Sequence, residues 1–379
     1  MALAPFRFGD KDFDVCPIAL GTIPLARLPR AEAVDLILYA LSQGMNFIDT
    51  ARAYGPAEEY VGEALRKWRE GAGDGSGAGS GDGSGANSAN VVVATKSMAR
   101  RAEELRSELA TSLENLGRPK VDLFFLHQVD TFANLSALLA DDGALAGLLA
   151  AREEGLVDKI GLSGHFTPVL MKALDELPLD YLLGRFNLTM TEDECALIGK
   201  ARGLGVSLAS MKVFEGGFVT RHTDLALRYA LHGPDVDLVM IGCESKKQID
   251  ENLQAWRQSL PLSEDEMAHV LASAETLRAE TFCSYCGYCT DGCPKDLPIS
   301  HIFNLEAKLN VFGAEFGFAG SPGAELYLSG FDSAIEACND CGLCEERCPN
   351  RLPIRKLLKE RKAQFAKCLE DGKIGDGKS

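Results

Sequence analysis

The sequence predicts an α/β protein: a closed (β/α)8 TIM barrel followed by a smaller, mostly helical domain that is rich in cysteine. The chain has 379 residues, more than a single hydrophobic core usually serves, so we expect one large and one small domain. Over residues 1–262 short apolar runs alternate with segments of helical periodicity, and eight of the 12 cysteines lie between residues 283 and 348.

The chain begins with a predicted hairpin that precedes the barrel. Two short segments, residues 6–8 and 13–15, alternate apolar with polar residues and flank the turn at residues 9–11. This pattern is typical of two antiparallel strands joined by a glycine-containing turn. We expect the hairpin to close the bottom of the barrel.

Eight apolar runs follow, each short enough to be a buried strand. They lie at residues 18–22, 46–49, 91–96, 121–127, 159–163, 180–187, 205–214 and 237–242. Near-continuous apolar runs are typical of a parallel sheet covered by helices. Segments with the apolar spacing of a helix lie between them, for example at residues 31–42, 57–68, 101–116 and 143–154. Eight such strands within about 250 residues fit a barrel better than an open sheet.

The glycine- and serine-rich segment 71–89 interrupts this alternation. Its residues cannot build a core, so we expect a flexible loop. Because it follows the second helix, the loop would lie at the amino-terminal face of the barrel, away from the expected active site. An inert insertion is favoured over a partner-binding loop.

Charge and hydropathy exclude several classes of function. The net charge of −16 argues against a nucleic-acid partner. The apolar stretches are short and interrupted by charge, so we expect no membrane span. The first nine residues lack the pattern of a secretory signal, which favours a cytoplasmic location. Clustered cysteines in that compartment bind metal more often than they form disulfides.

The clustered cysteines form two copies of the spacing C-x2-C-x2-C-x3-C-P, each ending in Leu-Pro-Ile. This is the spacing of bacterial-type loops that bind [4Fe–4S] clusters, in which the fourth cysteine ligates the other cluster. The sequence therefore predicts two clusters with crossed ligands, one at Cys283, Cys286, Cys289 and Cys348 and the other at Cys338, Cys341, Cys344 and Cys293. Zinc and disulfides are the alternatives, although zinc sites usually show paired C-x2-C units.

The segment resembles 2[4Fe–4S] ferredoxin-type domains. The long link between the copies, and a helical pattern after each, favour the α-helical variety over the compact strand-rich one. We expect a helical connector over residues 263–280, the cluster domain over 281–370 and a disordered tail over 371–379.

Polar side chains end three consecutive predicted strands of the barrel. They are Asp49, Lys96 and His127, and Tyr54 lies on the loop after Asp49. Strand ends at the carboxyl-terminal face of a barrel carry catalytic groups, so the four should converge. Carbonyl reduction needs a proton donor for the developing oxyanion, and a tyrosine whose pKa is lowered by a nearby lysine could serve. Each residue alone would more often be structural.

These residues lie in motifs that resemble the aldo-keto reductases. The motifs are GMNFIDTARAYG at 44–55, ATK at 94–96, DLFFLH at 122–127, IGLSGH at 160–165 and IGC at 241–243 with Glu251-Asn252 beyond it. The match covers about residues 5–260, and with the cysteine motifs the whole chain resembles the ferredoxin-type subgroup. The resemblance implies a carbonyl or alcohol substrate and a catalytic tetrad of Asp49, Tyr54, Lys96 and His127. Tyr54 would be the general acid in reduction and the base in oxidation.

The resemblance also implies a nicotinamide cofactor, NADP(H) or NAD(H). It places cofactor contacts at Thr22, Asp49, Ser163, Met211, Lys212, Gly217, Ser245, Lys246, Gln248 and Asn252. The chain departs from the family at four positions, where an asparagine, a glutamine, an aromatic residue and an arginine are replaced by Gly164, Leu183, Met211 and Gln248. The first strand is not followed by G-x-G-x-x-G, so the site is not of the Rossmann type.

The role of the clusters stays open at this stage, because hydride transfer moves two electrons together and each cluster carries one. The clusters could be structural or could dock an electron-carrier protein beside an NAD(P)-dependent reductase. Alternatively, they could feed electrons singly to a substrate with little use of nicotinamide. A third hypothesis is a non-catalytic iron–sulfur subunit for electron transfer or regulation. The presence of all four tetrad residues argues against it.

Overall fold

The computed structural model divides the chain into two compact units. The first comprises Met1–Glu215 and Val219–Glu264, and the second comprises Gly216–Phe218 and Asp265–Ser379. The structure describes residues 5–9, 11, 13–71, 90–214, 223–257, 260–279, 283, 288–300, 302–303, 333, 335–348 and 352–370. The predicted insertion from residue 72 onward, the predicted tail, Gly217 and Cys286 lie outside the described residues.

The first unit contains a closed barrel of eight parallel strands, which confirms the predicted fold class. The strands are β3 (Ile18–Gly21), β4 (Phe47–Asp49), β5 (Val92–Ser97), β6 (Val121–Leu126), β7 (Val157–Ser163), β8 (Tyr181–Gly184), β9 (Ser207–Ser210) and β10 (Leu238–Gly242). They pair in chain order, and β10 closes the barrel on β3. Their side chains are almost entirely buried, which is why the strands appear in the sequence as continuous apolar runs.

Helices surround this barrel. They are α1 (Arg30–Ser42), α2 (Ala57–Gly71), α3 (Ala102–Leu116), α4 (Phe132–Leu139), α5 (Ala144–Glu153), α6 (Thr167–Glu176), α7 (Glu192–Gly203), α8 (Thr223–His232) and α9 (Lys246–Arg257). Two helices connect β6 to β7, where the periodicity predicted one. The additional helix α4 is capped by Thr131, whose Oγ1 accepts a hydrogen bond of 3.0 Å from the Asn134 amide.

A hairpin closes the amino-terminal end of the barrel, as the sequence predicts. Its strands β1 (Phe6–Arg7) and β2 (Asp14–Val15) pair antiparallel. Phe8 enters the barrel and stacks on Tyr181, with ring centroids 5.3 Å apart. From the hairpin turn, Lys11 Nζ lies 2.7 Å from Oδ1 of the fully buried Asp122. The catalytic groups are therefore expected at the opposite end.

The second unit is helical where it is described, as predicted. Its helices are α10 (Glu264–Ala279), α11 (Tyr288–Asp291), α12 (Leu343–Glu346) and α13 (Ile354–Glu370). Both motif copies contribute equivalent apolar residues to one small core, Leu297 and Ile299 from the first and Leu352 and Ile354 from the second. In the described parts of the chain, no helix is long and apolar enough to cross a membrane.

Candidate active site and cluster pocket

Three neighbouring strands bring the predicted catalytic side chains to the carboxyl-terminal end of the barrel. Asp49 is the last residue of β4, Lys96 is next to last in β5, and His127 directly follows β6. The strands pair in parallel, with Asp49 opposite Ala94 and Lys96 opposite Phe125. Parallel pairing in this register places all three side chains at one rim.

Asp49 and Lys96 form a buried ion pair at the centre of this rim. Lys96 Nζ donates to Asp49 Oδ1 and, over 2.8 Å, to the carbonyl of Thr50. The side chains are only 8% and 1% exposed, respectively. Burial disfavours both charges: it raises the pKa of Asp49 and lowers the pKa of Lys96, while their mutual attraction opposes both shifts. The lysine is thus fixed in position by a carboxylate and a carbonyl.

Tyr54 lies against this pair and beside His127. Lys96 Nζ is 5.2 Å from the centre of the tyrosine ring. The rings of Tyr54 and His127 are 5.8 Å apart and nearly perpendicular. The structure therefore brings together all four residues of the predicted tetrad.

The pKa of Tyr54 differs in direction from the sequence-based expectation. Burial first, and then the negative charge of Asp49, raise this pKa well above its ordinary value of 10.0. The expected lowering by Lys96 fails because Asp49 offsets the lysine charge and the ring is removed from water. The phenol is therefore protonated at neutral pH, as a proton donor must be, although the raised pKa makes it a weaker acid than an ordinary tyrosine.

A second buried network supports the loop that carries Tyr54. Glu58 is 1% exposed, and its carboxylate accepts hydrogen bonds of 2.7 Å from both Arg52 Nη1 and Thr95 Oγ1. The Arg52 amide donates to the carbonyl of Lys96 over 3.0 Å. The sequence did not predict this network, although Glu58 lies only four residues after Tyr54 at the start of α2.

Asp130 and His165 pair with each other beside Ser163, a contact that the sequence did not predict. A Cβ on Gly164 would lie 2.8 Å from the Val129 carbonyl oxygen and 3.1 Å from Asp130 Oδ1. His165 Nδ1 is 3.1 Å from Asp130 Oδ2, and both side chains are nearly buried. A side chain at position 164, such as the asparagine that the resemblance implies, would therefore clash with these atoms unless the loop shifted.

Two residues at this rim adopt left-handed backbone conformations without being glycine. They are Gln128 (φ 53°), directly after His127, and Lys212 (φ 57°), a predicted cofactor contact. Arg100 holds the first by donating to the carbonyls of His127 and Gln128 over 2.8 and 2.9 Å. Asn187 holds the second by donating to its carbonyl over 2.8 Å. Backbone strain of this kind is typical of functional sites.

The remaining predicted cofactor contacts at the barrel strands have structural partners. Thr22 Oγ1 donates to the Asp49 carbonyl over 3.0 Å, and Ser163 Oγ accepts from the Gln128 amide over 3.2 Å. Met211 packs on the apolar barrel interior. These residues nevertheless lie at the carboxyl-terminal rim of the barrel, because each follows or ends a barrel strand.

Another predicted group of cofactor residues lies at the start of α9. Ser245 Oγ accepts from the Gln248 amide over 3.3 Å and caps the helix, and Lys246 lies over the ring of Tyr39 at 5.0 Å. Asn252 is instead buried and donates to Cys243 Sγ over 3.3 Å. A capped helix start with exposed Lys246 and Lys247 suits a phosphate group.

In the second unit, cysteines from both motif copies line one small pocket. Its lining includes Cys293 of the first copy together with Cys338, Cys341 and Cys344 of the second. This set of four is the one that the crossed pattern assigns to a single cluster. Cys283, Cys289 and Cys348 of the other predicted set contact the same apolar core.

The donor set of this pocket fits an iron–sulfur cluster. Four thiols are the ligands that iron in such clusters requires. The described cysteines are free thiols. Among the residues that the structure describes, no three His, Cys, Asp or Glu side chains are arranged around a single metal ion, whereas the thiols of a cluster each bind a different iron.

Comparison with known proteins identifies both parts of the chain. Residues 17–225 match the aldo/keto reductase family, and residues 282–352 match the 4Fe-4S dicluster domain. An L-galactose dehydrogenase from Arabidopsis thaliana is 23% identical over 322 residues, which cover 72% of this chain and 95% of that protein. A probable aldo-keto reductase from Glycine max is 26% identical over 235 residues, 57% of this chain and 61% of that protein.

Solved structures show the same fold for the barrel. An aldo-keto reductase from Bacillus halodurans in its holo form matches with a TM-score of 0.57 and 19% identity, over 71% of this chain and 96% of that one. An aldose reductase from Giardia lamblia matches with a TM-score of 0.54 and 17% identity, over 69% of this chain and 93% of that one.

Proposed function

The chain belongs to the aldo/keto reductase family and carries a 4Fe-4S dicluster domain, and on this premise we propose that it interconverts a small-molecule carbonyl and its alcohol at Tyr54. The observation that carries the proposal is the convergence of Tyr54, His127 and the buried Asp49–Lys96 pair at one rim. One relative is named a dehydrogenase and another a reductase, which supports chemistry in either direction.

In reduction, Tyr54 donates its hydroxyl proton to the carbonyl oxygen of the substrate. The raised pKa of the phenol keeps this proton in place until the oxygen becomes negative. Lys96, held in position by Asp49, places its ammonium group next to the ring on which the negative charge then forms. His127 orients the carbonyl by hydrogen bonding. In oxidation Tyr54 takes the proton back.

A nicotinamide cofactor would supply the hydride. The exposed Lys246 and Lys247 at the capped start of α9, with Ser245, would hold its phosphate groups. Ser163 and the backbone around Lys212 would border the nicotinamide end. The residues at the start of α9 do not distinguish NADP(H) from NAD(H).

The cysteines would hold two [4Fe–4S] clusters within residues 281–370. The pocket that joins Cys293 to Cys338, Cys341 and Cys344 supports the crossed ligand sets. A bound cluster supplies one-electron transfer, so an electron-carrier protein is a plausible partner class for this unit. Iron and sulfide counts on anaerobically purified protein should give about eight of each per chain.

Replacement of Tyr54 by phenylalanine tests the enzymatic proposal. We expect NAD(P)H-dependent turnover of aldehydes or ketones to fall by about 10²–10⁴-fold, because this change removes only the proton donor. Tyr60→Phe, on α2, is the matched control and should retain full activity. Unchanged turnover in Tyr54→Phe would exclude the acid role.

A second candidate function is supported by the crowding at Gly164, where the family's asparagine would clash unless the loop shifted. Here electrons would reach the substrate singly through the clusters, with little use of nicotinamide. Fluorescence titration with NADPH and NADH distinguishes the two proposals. Binding followed by substrate-dependent oxidation supports hydride transfer. Failure of both to bind, with rapid cluster reduction by dithionite, supports the one-electron route.

A further inference from the structure

The two cysteine motifs align residue for residue, and several aligned positions differ in charge, among them two that are hydrogen-bonded to each other in both copies. Thr290, directly after the third cysteine of the first copy, corresponds to Glu345 in the second. Ser300, seven residues after the fourth cysteine, corresponds to Arg355. The same two positions are therefore neutral in one copy and charged in the other.

In both copies these two residues make the same hydrogen-bonded link. The Ser300 amide donates to Thr290 Oγ1 over 3.0 Å, and the two hydroxyl oxygens are 3.0 Å apart. In the second copy, the Arg355 amide donates to Glu345 Oε1 over 2.9 Å and its Nη2 donates to Oε2 over 2.7 Å. The link ties the start of a helix to the turn after the third cysteine. Its structural role is thus met without charge in the first copy.

The guanidinium lies on the cysteine side of the Glu345–Arg355 pair. Arg355 lines both the pocket of Cys293, Cys338, Cys341 and Cys344 and a neighbouring surface depression, whereas Glu345 borders only the depression, with Asp340 and Lys359. The Arg355 Cζ is 3.7 Å from the position of a Cβ on Gly342, within the loop between two of these cysteines. The pair therefore presents its positive end to the pocket.

The Nε–H group of Arg355 is also available to donate a hydrogen bond. Its Nε is buried and has no hydrogen-bond partner among the described residues, although the side chain as a whole is 40% exposed. Hydrogen bonds to cluster sulfurs and net charge both set the reduction potential of such clusters. An N–H donor and a cation at this pocket act in the same direction, because reduction adds one negative charge.

We propose that Arg355 makes the two cluster sites unequal and gives the cluster at Cys293, Cys338, Cys341 and Cys344 the higher reduction potential. The proposal rests on the cluster ligation proposed above. Electrons that enter the unit would then reside on this cluster. Arg347, beside Cys348 of the other set, packs against Gly292 but does not line the pocket, and its side chain is exposed, so water screens its charge.

A redox titration of the full-length holoprotein with dithionite, followed by EPR, tests the proposal. In each reduction one cluster gains one electron, dithionite is oxidised, and no bond to the protein forms or breaks. Iron and sulfide are counted on every sample. About eight irons in the wild type establish the ligation separately from the potentials.

Four variants define the effect of Arg355. Arg355→Ser should make the reduction equilibrium of one cluster about tenfold less favourable, a shift of about 59 mV to more negative potential, and leave the other cluster unchanged. Glu345→Gln, which keeps the arginine and removes its counter-charge, should shift the same cluster to more positive potential. The double variant Glu345→Thr with Arg355→Ser copies the first motif at these two positions and should reduce the difference between the two potentials. Lys359→Gln, an exposed cation on the same helix, is the matched control.

The outcomes separate cleanly. Opposite shifts of one cluster in Arg355→Ser and Glu345→Gln support the proposal. Equal potentials of both clusters in the wild type, or shifts no larger than in Lys359→Gln with iron retained, overturn it. If Arg355→Ser loses iron, Glu345→Gln decides: a positive shift supports tuning, and an unchanged potential or loss of iron there means that the pair is only structural.

Discussion

At the scale of single residues, the barrel retains a charged pair that does not favour stability. Removing Asp49 and Lys96 from water costs several kcal/mol per ion, and their attraction only partly offsets this cost. The lysine is 1% exposed and sits 5.2 Å from the ring centre of Tyr54. A buried pair beside a group with a raised pKa is typical of catalytic sites. Function therefore accounts for this arrangement better than folding does.

Gly164 shows how closely the catalytic rim is packed. Substitution by alanine would bring a methyl group within 2.8 Å of the Val129 carbonyl oxygen, and overpacking of this kind destabilises proteins by about 1–3 kcal/mol. We expect a loss of that size in urea denaturation followed by tryptophan fluorescence. Gly199→Ala is the control, since a Cβ there meets no atom within 4 Å. A Gly164→Ala variant as stable as wild type would show that the neighbouring atoms can shift to accommodate the added methyl group.

Two buried cysteines of the barrel make its stability depend on pH. Burial raises the pKa of both the Cys16 and the Cys243 thiol from 9.0 to about 12. The thiols thus stay protonated in the folded barrel while they ionise in the unfolded chain, so the free energy of unfolding should fall as pH rises from about 9 to 12. Urea titrations at pH 8 and 10 measure this decline, which a Cys16→Ala, Cys243→Ala double variant should reduce. An identical decline in the double variant would assign it to other groups.

At the scale of elements, the amino-terminal hairpin acts through the residue that it inserts into the barrel. Phe8 is 1% exposed and contacts Phe47 and Tyr181. Phe8→Ala should reduce the free energy of unfolding by about 3–5 kcal/mol, as expected for a buried aromatic residue. Phe132→Ala, at a position 40% exposed, should cost much less. Equal losses of unfolding free energy in the Phe8→Ala and Phe132→Ala variants would contradict the conclusion that the hairpin stabilises the barrel through Phe8.

The elements also show which features a single sequence can predict. Strands β3 to β10 were predictable because burial on both faces requires continuous apolar runs. The additional helix α4 between β6 and β7 was not, since Thr131 starts it through a local cap rather than through periodicity. The tetrad followed from the strand ends. The Asp130–His165 pair and the Glu58 network did not, because contacts between separate loops leave no spacing signal.

At the scale of the whole molecule, the two units draw on different sources of stability. The barrel has an extended apolar interior, whereas the described core of the second unit is a small cluster surrounded by cysteines. Binding of metal to such thiols contributes directly to folding free energy. Loss of iron should therefore affect one unit far more than the other.

Removal of the clusters tests this division. Chelation of iron under mild oxidation should reduce the far-UV helical signal of the second unit and expose residues 281–370 to proteases. The emission of Trp68 and Trp256 should report an intact barrel, because both tryptophans lie in its helices α2 and α9. Cys344→Ser should reproduce the effect through a pocket ligand, and Cys195→Ser, on the barrel helix α7, should retain full iron. Concerted unfolding of the barrel on iron loss would mean that the clusters also stabilise the first unit.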